Sequence, residues 1–453
     1  MMPLKAYIRE NHPELQAQLS EIETASSLAL IVMSTLSFLF GLGIKIIESE
    51  LAERTQAKSE WGHCPKCGRR LHSKGWVERQ ITTLIGQVKW KRRVGRCPHG
   101  CAIGMIAPLD EQLGVEANQQ TSVELQKIAC GLAVFVPFEI AALLLGQWLP
   151  HPVSAEGIWG WVQSMGKREM SYWQEQLERL EAGELPKGGN PPQPDAPLLI
   201  GGDGVMVPFR PEGGNPKGGI RWREVKVGIV AWWTAHTTRT GKTVTRLEGR
   251  RLAAVLGDID DLSPRLHLTA LIVGLDAACQ VAWLSDGGRG FWRLYDQLFA
   301  LEAMGILDFY HAAQNLWKAA AAWFDGRTKQ AKDWFKLSRH QLRHGEADAV
   351  ITDLAKALEL KGLPENTRET IARVHDYLSK HHEHIDYAQF KQLGLPLGSG
   401  MVESACKWLI HQRFKGVGMR WSEDGFNHLL HLRLAWVNGE FDDLFAFEVS
   451  PNL

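Results

Sequence analysis

The stretch LLIGGDGVMVPF, residues 198–209, decides the fold class. Its first five residues carry no charge and lead straight into Asp203-Gly204, the pattern of a buried strand that ends at an acid. Upstream, 181–197 (EAGELPKGGNPPQPDAP) is dense in Gly and Pro and has little to bury, which marks a linker. Downstream, 225–234 (VKVGIVAWWT) is a second buried strand, and 242–247 pairs with it across the Thr240-Gly241 turn. Residues 251–256 and 266–275 read as helices, 280–284 as a strand ending at Ser285-Asp286-Gly287, 291–304 as an amphipathic helix and 306–310 as a short strand. From 312 to roughly 384 nearly everything is helical, and Gly398-Ser399-Gly400 then opens a helix carrying Glu403. Strands first, then helices, then a closing helix describe an α/β core with a helical insertion.

Asp203, Asp286 and Glu403 are the candidate catalytic residues of that core. Phosphoryl transfer needs an activated oxygen nucleophile and a stabilised leaving oxyanion. Two Mg²⁺ (or Mn²⁺) ions about 4 Å apart supply both when hard carboxylates on a rigid frame hold them. Each acid has a plainer reading by itself: Asp203-Gly204 and Asp286-Gly287 are common turn dipeptides, and Glu403 is an ordinary helix acid. Order and element type separate the three from Asp258, Asp260, Asp261 and Asp276, none of which ends a strongly apolar strand. Lys407 and His411 follow Glu403 one and two turns along its helix; Lys407 either contacts a phosphate or pairs with Glu403. His311 is a candidate to position phosphate or water, with a core histidine as the alternative. Arg413, Lys415, Arg420 and Trp421 form a basic–aromatic stretch suited to a DNA end, or else an ordinary surface loop. His381, His382 and His384 lack zinc spacing and read as a solvated helix end.

The amino-terminal half has a different character. Among 453 residues, 51 Lys plus Arg balance 51 Asp plus Glu, yet between Cys64 and Cys101 ten basic residues stand against one acid, Glu78. Clustered charge of this kind is what phosphates feel, and Arg69, Arg70, Lys89, Lys91, Arg92 and Arg93 are its candidate DNA contacts. Cys64-x2-Cys67 and Cys97-x3-Cys101 bracket a hairpin (80–93) turned at Gly86, a ligand set suited to a closed, structural Zn²⁺. His99 is a further donor able to replace one thiolate. Cys130, Cys279 and Cys406 sit among apolar residues and read as buried thiols. The charged start runs into polar helix rather than a signal-peptide core, which points to a cytoplasmic, reducing compartment. Residues 24–44 are uncharged and near membrane-spanning length, but their Thr, Ser and Gly favour a helix buried in a core or a protomer interface. Short helices at 121–132, 138–145 and 155–165 resemble helix-turn-helix packing, or else any small helical bundle, and a further helix at 167–180 leads into the linker.

The runs DGVMVPFR (203–210), REVKVG (223–228), LSDGGRGFW (284–292), DFYHAAQNLW (308–317) and GSGMVESACKWLIHQRFKGVGMRWS (398–422) resemble bacterial insertion-sequence transposases of the ISKra type. The hairpin between the cysteine pairs and PLDEQLG (108–114) resemble that family too, so the likeness covers most of 60–440. It implies an RNase-H-like catalytic core of the DDE group, in which Asp203, Asp286 and Glu403 ligate the metal ions. Asp308 to His311 resembles the D-x2-H motif of mutator-like transposases and adds Asp308 and His311 as catalytic candidates. The long gap from Asp286 to Glu403 fits members with an all-helical insertion.

The expected organisation is an N-terminal helical region (1–60), a zinc-ribbon-like basic hairpin (61–107), a helical DNA-binding domain (108–180), the linker (181–197), an RNase-H-like core (198–311 and 396–440) around a helical insertion (312–395), and a C-terminal tail (441–453). The expected activity is metal-dependent strand cleavage at element ends and 3′-OH strand transfer into target DNA. The expected partner is double-stranded DNA, as terminal inverted repeats and target, bound by a homodimer or larger assembly in a bacterial, nucleoid-associated setting without a membrane. Two other readings share these residues: a catalytically inactive or domesticated DNA-binding protein of transposase descent, and a structure-specific DNA nuclease on the same fold.

Overall fold

The computed structural model describes residues 4–58, 60–211, 219–241 and 243–446, so part of the expected C-terminal tail, 447–453, lies outside the described residues. The chain divides into two compact units, Met1–Ser164 with Asp442–Leu453, and Met165–Phe441.

The first unit opens with α1 (Leu4–Asn11), α2 (Gln16–Thr24) and α3 (Leu28–Gln56). Ser27 caps α3 by accepting the Leu30 N–H. Phe38 of α3 is buried with Leu15 and Leu19, and Leu51 with Ile81, Val88 and Trp90. The expected burial of 24–44 in the chain's own core is not met: Leu28, Leu30, Val32, Met33 and Leu39 are each more than half exposed. Apolar residues surround this helix, and neighbours on one side cannot cover its whole circumference. By length and composition α3 could cross a membrane. The antiparallel hairpin β1 (His72–Thr83) and β2 (Gly86–Arg96) follows, with Gly86 at φ +135° in the turn. Then come α4 (Pro108–Gln112), α5 (Val123–Ala133) capped by Ser122, α6 (Phe138–Gly146) and α7 (Ala155–Glu181). Where two helices were expected, α7 is continuous, and the unit boundary falls inside it. Gly166 is no helix end; a Cβ there would lie 2.2 Å from the His428 carbonyl oxygen, so the glycine serves close backbone approach.

The second unit is a mixed α/β assembly around one sheet. Its strands are β3 (Leu198–Phe209), β4 (Arg221–Thr237), β5 (Thr243–Leu256), β6 (Val281–Ser285) and β7 (Ala303–Leu307), in the spatial order β5-β4-β3-β6-β7. The pairs β3/β4 and β4/β5 are antiparallel, and β3/β6 and β6/β7 are parallel. The expected helix at 251–256 is the end of β5: Ala253 and Ala254 pair with Gly228 and Val227, and pairing overrides the helix propensity of Arg, Leu and Ala. The crossovers are α8 (Ile259–Val273), with Asp258 and Asp261 forming a reciprocal cap, and α9 (Arg289–Leu298). After β7 the chain is helical: α10 (Phe309–Phe324), α11 (Lys329–Arg343), α12 (Ala347–Glu359), α13 (Glu365–Lys380), α14 (Tyr387–Gln392) and α15 (Gly400–Cys406). A π-turn (Lys407–His411), α16 (Gln412–Phe414) and α17 (Glu423–Asn438) complete it. Buried residues of the sheet, α8 and α9 form one core with those of the helical insertion.

Candidate active site and cysteine cluster

Strand register brings the acids together. β3 runs beside β6 over Leu198–Gly201 against Val281–Leu284, and β6 pairs Ser285 with Leu307 of β7. Continued by two residues, the first register sets Asp286 beside Asp203. Continued by one, the second sets Asp308 beside Asp286. The three acids thus fall at corresponding positions of the register, Asp203 within β3 and Asp286 and Asp308 just beyond the last paired residues of β6 and β7. Open α/β sheets carry their sites at such carboxyl ends.

Asp203 lies inside its strand rather than at its end, because β3 continues to Phe209 paired with β4 alone. Gly201-Gly202 is room for neighbours, not a terminus. A Cβ at 201 would lie 2.8 Å from Val402 of α15, and one at 202 would lie 2.4 Å from Phe291 of α9. Successive strand residues face opposite sides, so Asp203 shares the side of Gly201, on which α15 carries Glu403.

Burial raises the Asp203 pKa, and the Asp286 and Glu403 charges add to it, against the Gly204 N–H at 2.7 Å and His311. Asp286 accepts the Gly288 N–H at 2.9 Å, and its main-chain carbonyl accepts the Tyr377 hydroxyl at 3.1 Å. The Glu403 side chain is half exposed and pairs with Lys407 at 3.1 Å, so the ion-pair alternative for Lys407 is the one seen. Half-buried carboxylates that repel one another suit hard divalent cations. They do not close into a single cage; among the described residues, the group whose ligating atoms all lie within 4.8 Å of one another is the cysteine quartet.

Asp308 does not face the other acids as a free ligand. It is 2% exposed, caps α10 by accepting the His311 N–H at 2.8 Å, and accepts both the N–H and the hydroxyl of Ser399. Burial alone would raise its pKa, but the hydrogen bonds from His311 and Ser399 hold it well below the usual carboxylate range. It ties the end of β7 to the turn that starts the Glu403 helix, and so acts as a positioning residue. His311 lies 3.3 Å from Asp308, which raises its pKa over the effect of burial; Asp286 and Asp203 raise it further. The acids beside this imidazole therefore favour its protonated form.

Sequence reasoning missed Tyr377, Ser399 and Arg433. Tyr377 also packs on the turn after β6, where a Cβ at Gly287 would lie 2.5 Å from its ring. No local pattern marks it, since its partner is 91 residues away. Arg433 had a signal, a lone charge within the apolar run LLHLRLAWV. Buried in α17, it donates to the Leu409 and Trp408 carbonyls of the π-turn that follows Glu403. A π-turn releases carbonyls from the regular ladder and commonly marks a functional site.

Two expected DNA contacts are not available. Arg413 is 1% exposed, with its guanidinium 5.3 Å from the Trp421 ring centre, because its helix turns it inward. Arg92 lies on the inward-facing register of β2 and pairs with Asp110 at 2.6 Å while donating to the Val77 carbonyl. Lys89, Lys91 and Arg93, on the other register, are exposed, and Arg93 sits 5.0 Å over the Trp76 ring. Arg69, Arg70, Lys415 and Arg420 are exposed as well.

The four cysteines converge. Their sulfurs lie within 4.8 Å of one another, Cys67 and Cys97 at 3.4 Å, and none is disulfide-bonded. Tetrahedral zinc with 2.3 Å bonds sets sulfurs about 3.8 Å apart, so the quartet can hold zinc. Burial raises the Cys97 thiol, but the Cys101 N–H, the Cys67 sulfur and the His99 N–H outweigh it and bring it down to about 6. His99 is exposed, and the converging set is the four thiols. Cys130 and Cys406 are buried as expected, whereas Cys279 is exposed beside the loop that enters β6. His381, expected in solvent, is 4% exposed with its ring centre 4.8 Å from that of Trp292.

No family model matches the chain, and no curated protein sequence matches it. Among solved structures, a Drosophila P element transposase strand transfer complex aligns with 74% of this chain and 82% of its own, at 12% identity and a TM-score of 0.23. A score that low leaves fold and chemistry to be argued from the site itself.

Proposed function

We propose that this chain is a DDE-type transposase, of the ISKra type its sequence runs resemble, that cleaves DNA at element ends and transfers the freed 3′-OH to target DNA. The reading is supported by the β3/β6 register, which continued by two residues brings Asp203 and Asp286 to corresponding positions, and by the packing of α15, the helix of Glu403, against the Gly201 side of the sheet. The mixed sheet β5-β4-β3-β6-β7, with helices at its crossovers and beyond it, supports the α/β core of this reading.

In this reading Asp203, Asp286 and Glu403 hold two Mg²⁺ or Mn²⁺ ions, which supply nucleophile activation and charge stabilisation for phosphoryl transfer. In cleavage, the water oxygen bonds to phosphorus while the P–O3′ bond breaks and the 3′-oxygen leaves with a proton. In transfer, that 3′-oxygen bonds to a target phosphorus and the target's own 3′-oxygen leaves. His311, whose protonated form the neighbouring acids favour, draws a non-bridging phosphate oxygen toward the row when protonated. Asp308 and Ser399 fix the start of the Glu403 helix, and Tyr377 fixes the turn bearing Asp286. The cysteine quartet holds structural zinc, and Lys89, Lys91, Arg93, Arg69 and Arg70 meet DNA phosphates. Concerted work on two ends calls for at least a dimer, acting on bacterial DNA in the cytoplasm.

The test is cleavage and strand transfer on the element's terminal repeats with Asp203→Ala, Asp286→Ala and Glu403→Ala. Each variant should lose about a thousand-fold or more in rate, several kcal/mol of lost metal stabilisation. Full activity in any one overturns its assignment. DNA binding without metal-dependent cleavage in the unaltered chain would mark an inactive descendant, and cleavage of branched DNA without end preference would mark a nuclease.

A further inference from the structure

We propose that a groove at the far end of the β3–β4 hairpin binds an unpaired DNA strand, with Trp222 as its stacking platform. This deepens the transposase reading and rests on it for the identity of the nucleic acid. The groove has a volume of about 680 Å³ and is lined by Arg210, Trp222, Lys415 and Arg420 over a floor that includes Pro208, Ile220 and Met419; among the described residues no acid lines it. Its walls are joined, because the Arg210 N–H donates to the Trp421 carbonyl at 2.9 Å and the Trp421 N–H donates to the Pro208 carbonyl at 3.2 Å. The loop from Lys415 to Trp421 is thereby fastened to the end of β3.

Three exposed cations, with no acid among the described lining residues, are matched to phosphates. The apolar part separates single from double strands. Trp222 is 51% exposed and Ile220 45% exposed, a large aromatic and a large aliphatic side by side. A duplex hides the faces of its bases, so it gains nothing from this floor, whereas an unpaired base stacks on it. The Lys415 ammonium, 5.9 Å from the centre of the Trp222 ring, marks that face as one attractive to cations and already beside a phosphate partner. Pro208 lies five residues beyond Asp203 on β3, about 17 Å along the strand.

The test is binding by the full chain, without added Mg²⁺ or Mn²⁺, to a fluorescein-labelled blunt duplex and to the same duplex carrying an oligothymidine tail. The tailed DNA should bind about ten-fold tighter. Trp222→Ala should remove that advantage without changing blunt-duplex affinity, and Trp222→Phe should keep it. Arg210→Ala with Lys415→Ala should weaken tailed binding and flatten its salt dependence. Equal affinity for tailed and blunt DNA, or equal losses on both in Trp222→Ala, overturns the proposal. Read beside the separate cleavage assay, a tail preference without metal-dependent cleavage would sink the transposase reading alone, and cleavage without a tail preference would sink the groove alone.

Discussion

The cysteine quartet and the carboxylate row are both sets of candidate metal ligands, yet they are built in opposite ways. The quartet comes from two short segments joined by one hairpin, and its sulfurs already lie within 4.8 Å of one another. The carboxylates come from two strands and a distant helix, stand partly open to solvent, and keep their mutual repulsion. A closed set can saturate one ion and serve stability, whereas an open set leaves room for substrate oxygens. Perturbing each in turn should therefore move different observables.

The largest effect is expected at the quartet. Zinc binding free energies in small thiolate sites are on the order of 10 kcal/mol, and that energy is folding energy. Stripping the metal with a chelator, or replacing Cys97 by Ala, should release zinc and abolish hydrogen-exchange protection in β1 and β2. Protection in β3 and β6 should persist. Equal loss in both regions would show that the quartet is not a local folding device, and a metal-free protein with a protected hairpin would show that zinc is not its ligand.

Asp308 gives the next largest effect and tests the framework of the open set. Asp308→Asn keeps the size but replaces one acceptor oxygen with a donor facing Ser399, at an expected cost of about 3 kcal/mol. The sign with pH follows from its lowered pKa. The ionised form is favoured by folding, so its stabilisation is fully present above the unfolded carboxylate value of about 3.9. It is lost as pH falls through the lower folded value. Denaturant melts of wild type and variant should therefore differ at neutral pH and converge in acid. A constant difference across that range would assign the cost to packing rather than charge.

The same contrast explains what was legible in the sequence. The quartet could be read from spacing alone, because both pairs and their hairpin are local. Asp203, Asp286 and Glu403 could be nominated from apolar runs and element order, but their alignment depends on a parallel register between strands about 80 residues apart. Asp203 was misread as a strand end because Gly201-Gly202 looks like a terminus in one dimension. In three dimensions those glycines admit Val402 and Phe291. Arg92 and Arg413 were misplaced for a related reason: a basic run says nothing about which register faces inward. The helix at 251–256 failed because strand pairing outweighed propensity.

Lys407 gives the smallest expected effect and sharpens the comparison most finely, because it touches the open set from outside. Its pair with Glu403 is exposed on both sides. Such pairs contribute about 0.5 kcal/mol, so Lys407→Ala should barely move the melting curve. If Glu403 binds a metal ion in the working enzyme, that ion competes for the carboxylate and releases the ammonium toward the DNA backbone. Measured with Mg²⁺ and an uncleavable substrate, the plot of log affinity against log salt should then lose about one unit of slope in the variant. Measured without divalent ions, the slope should not change, since the lysine is still held by Glu403. A change under both conditions would mean that Lys407 reaches phosphate regardless of the carboxylate. No change under either would leave it a surface ion pair, and would place the DNA backbone away from this face of α15.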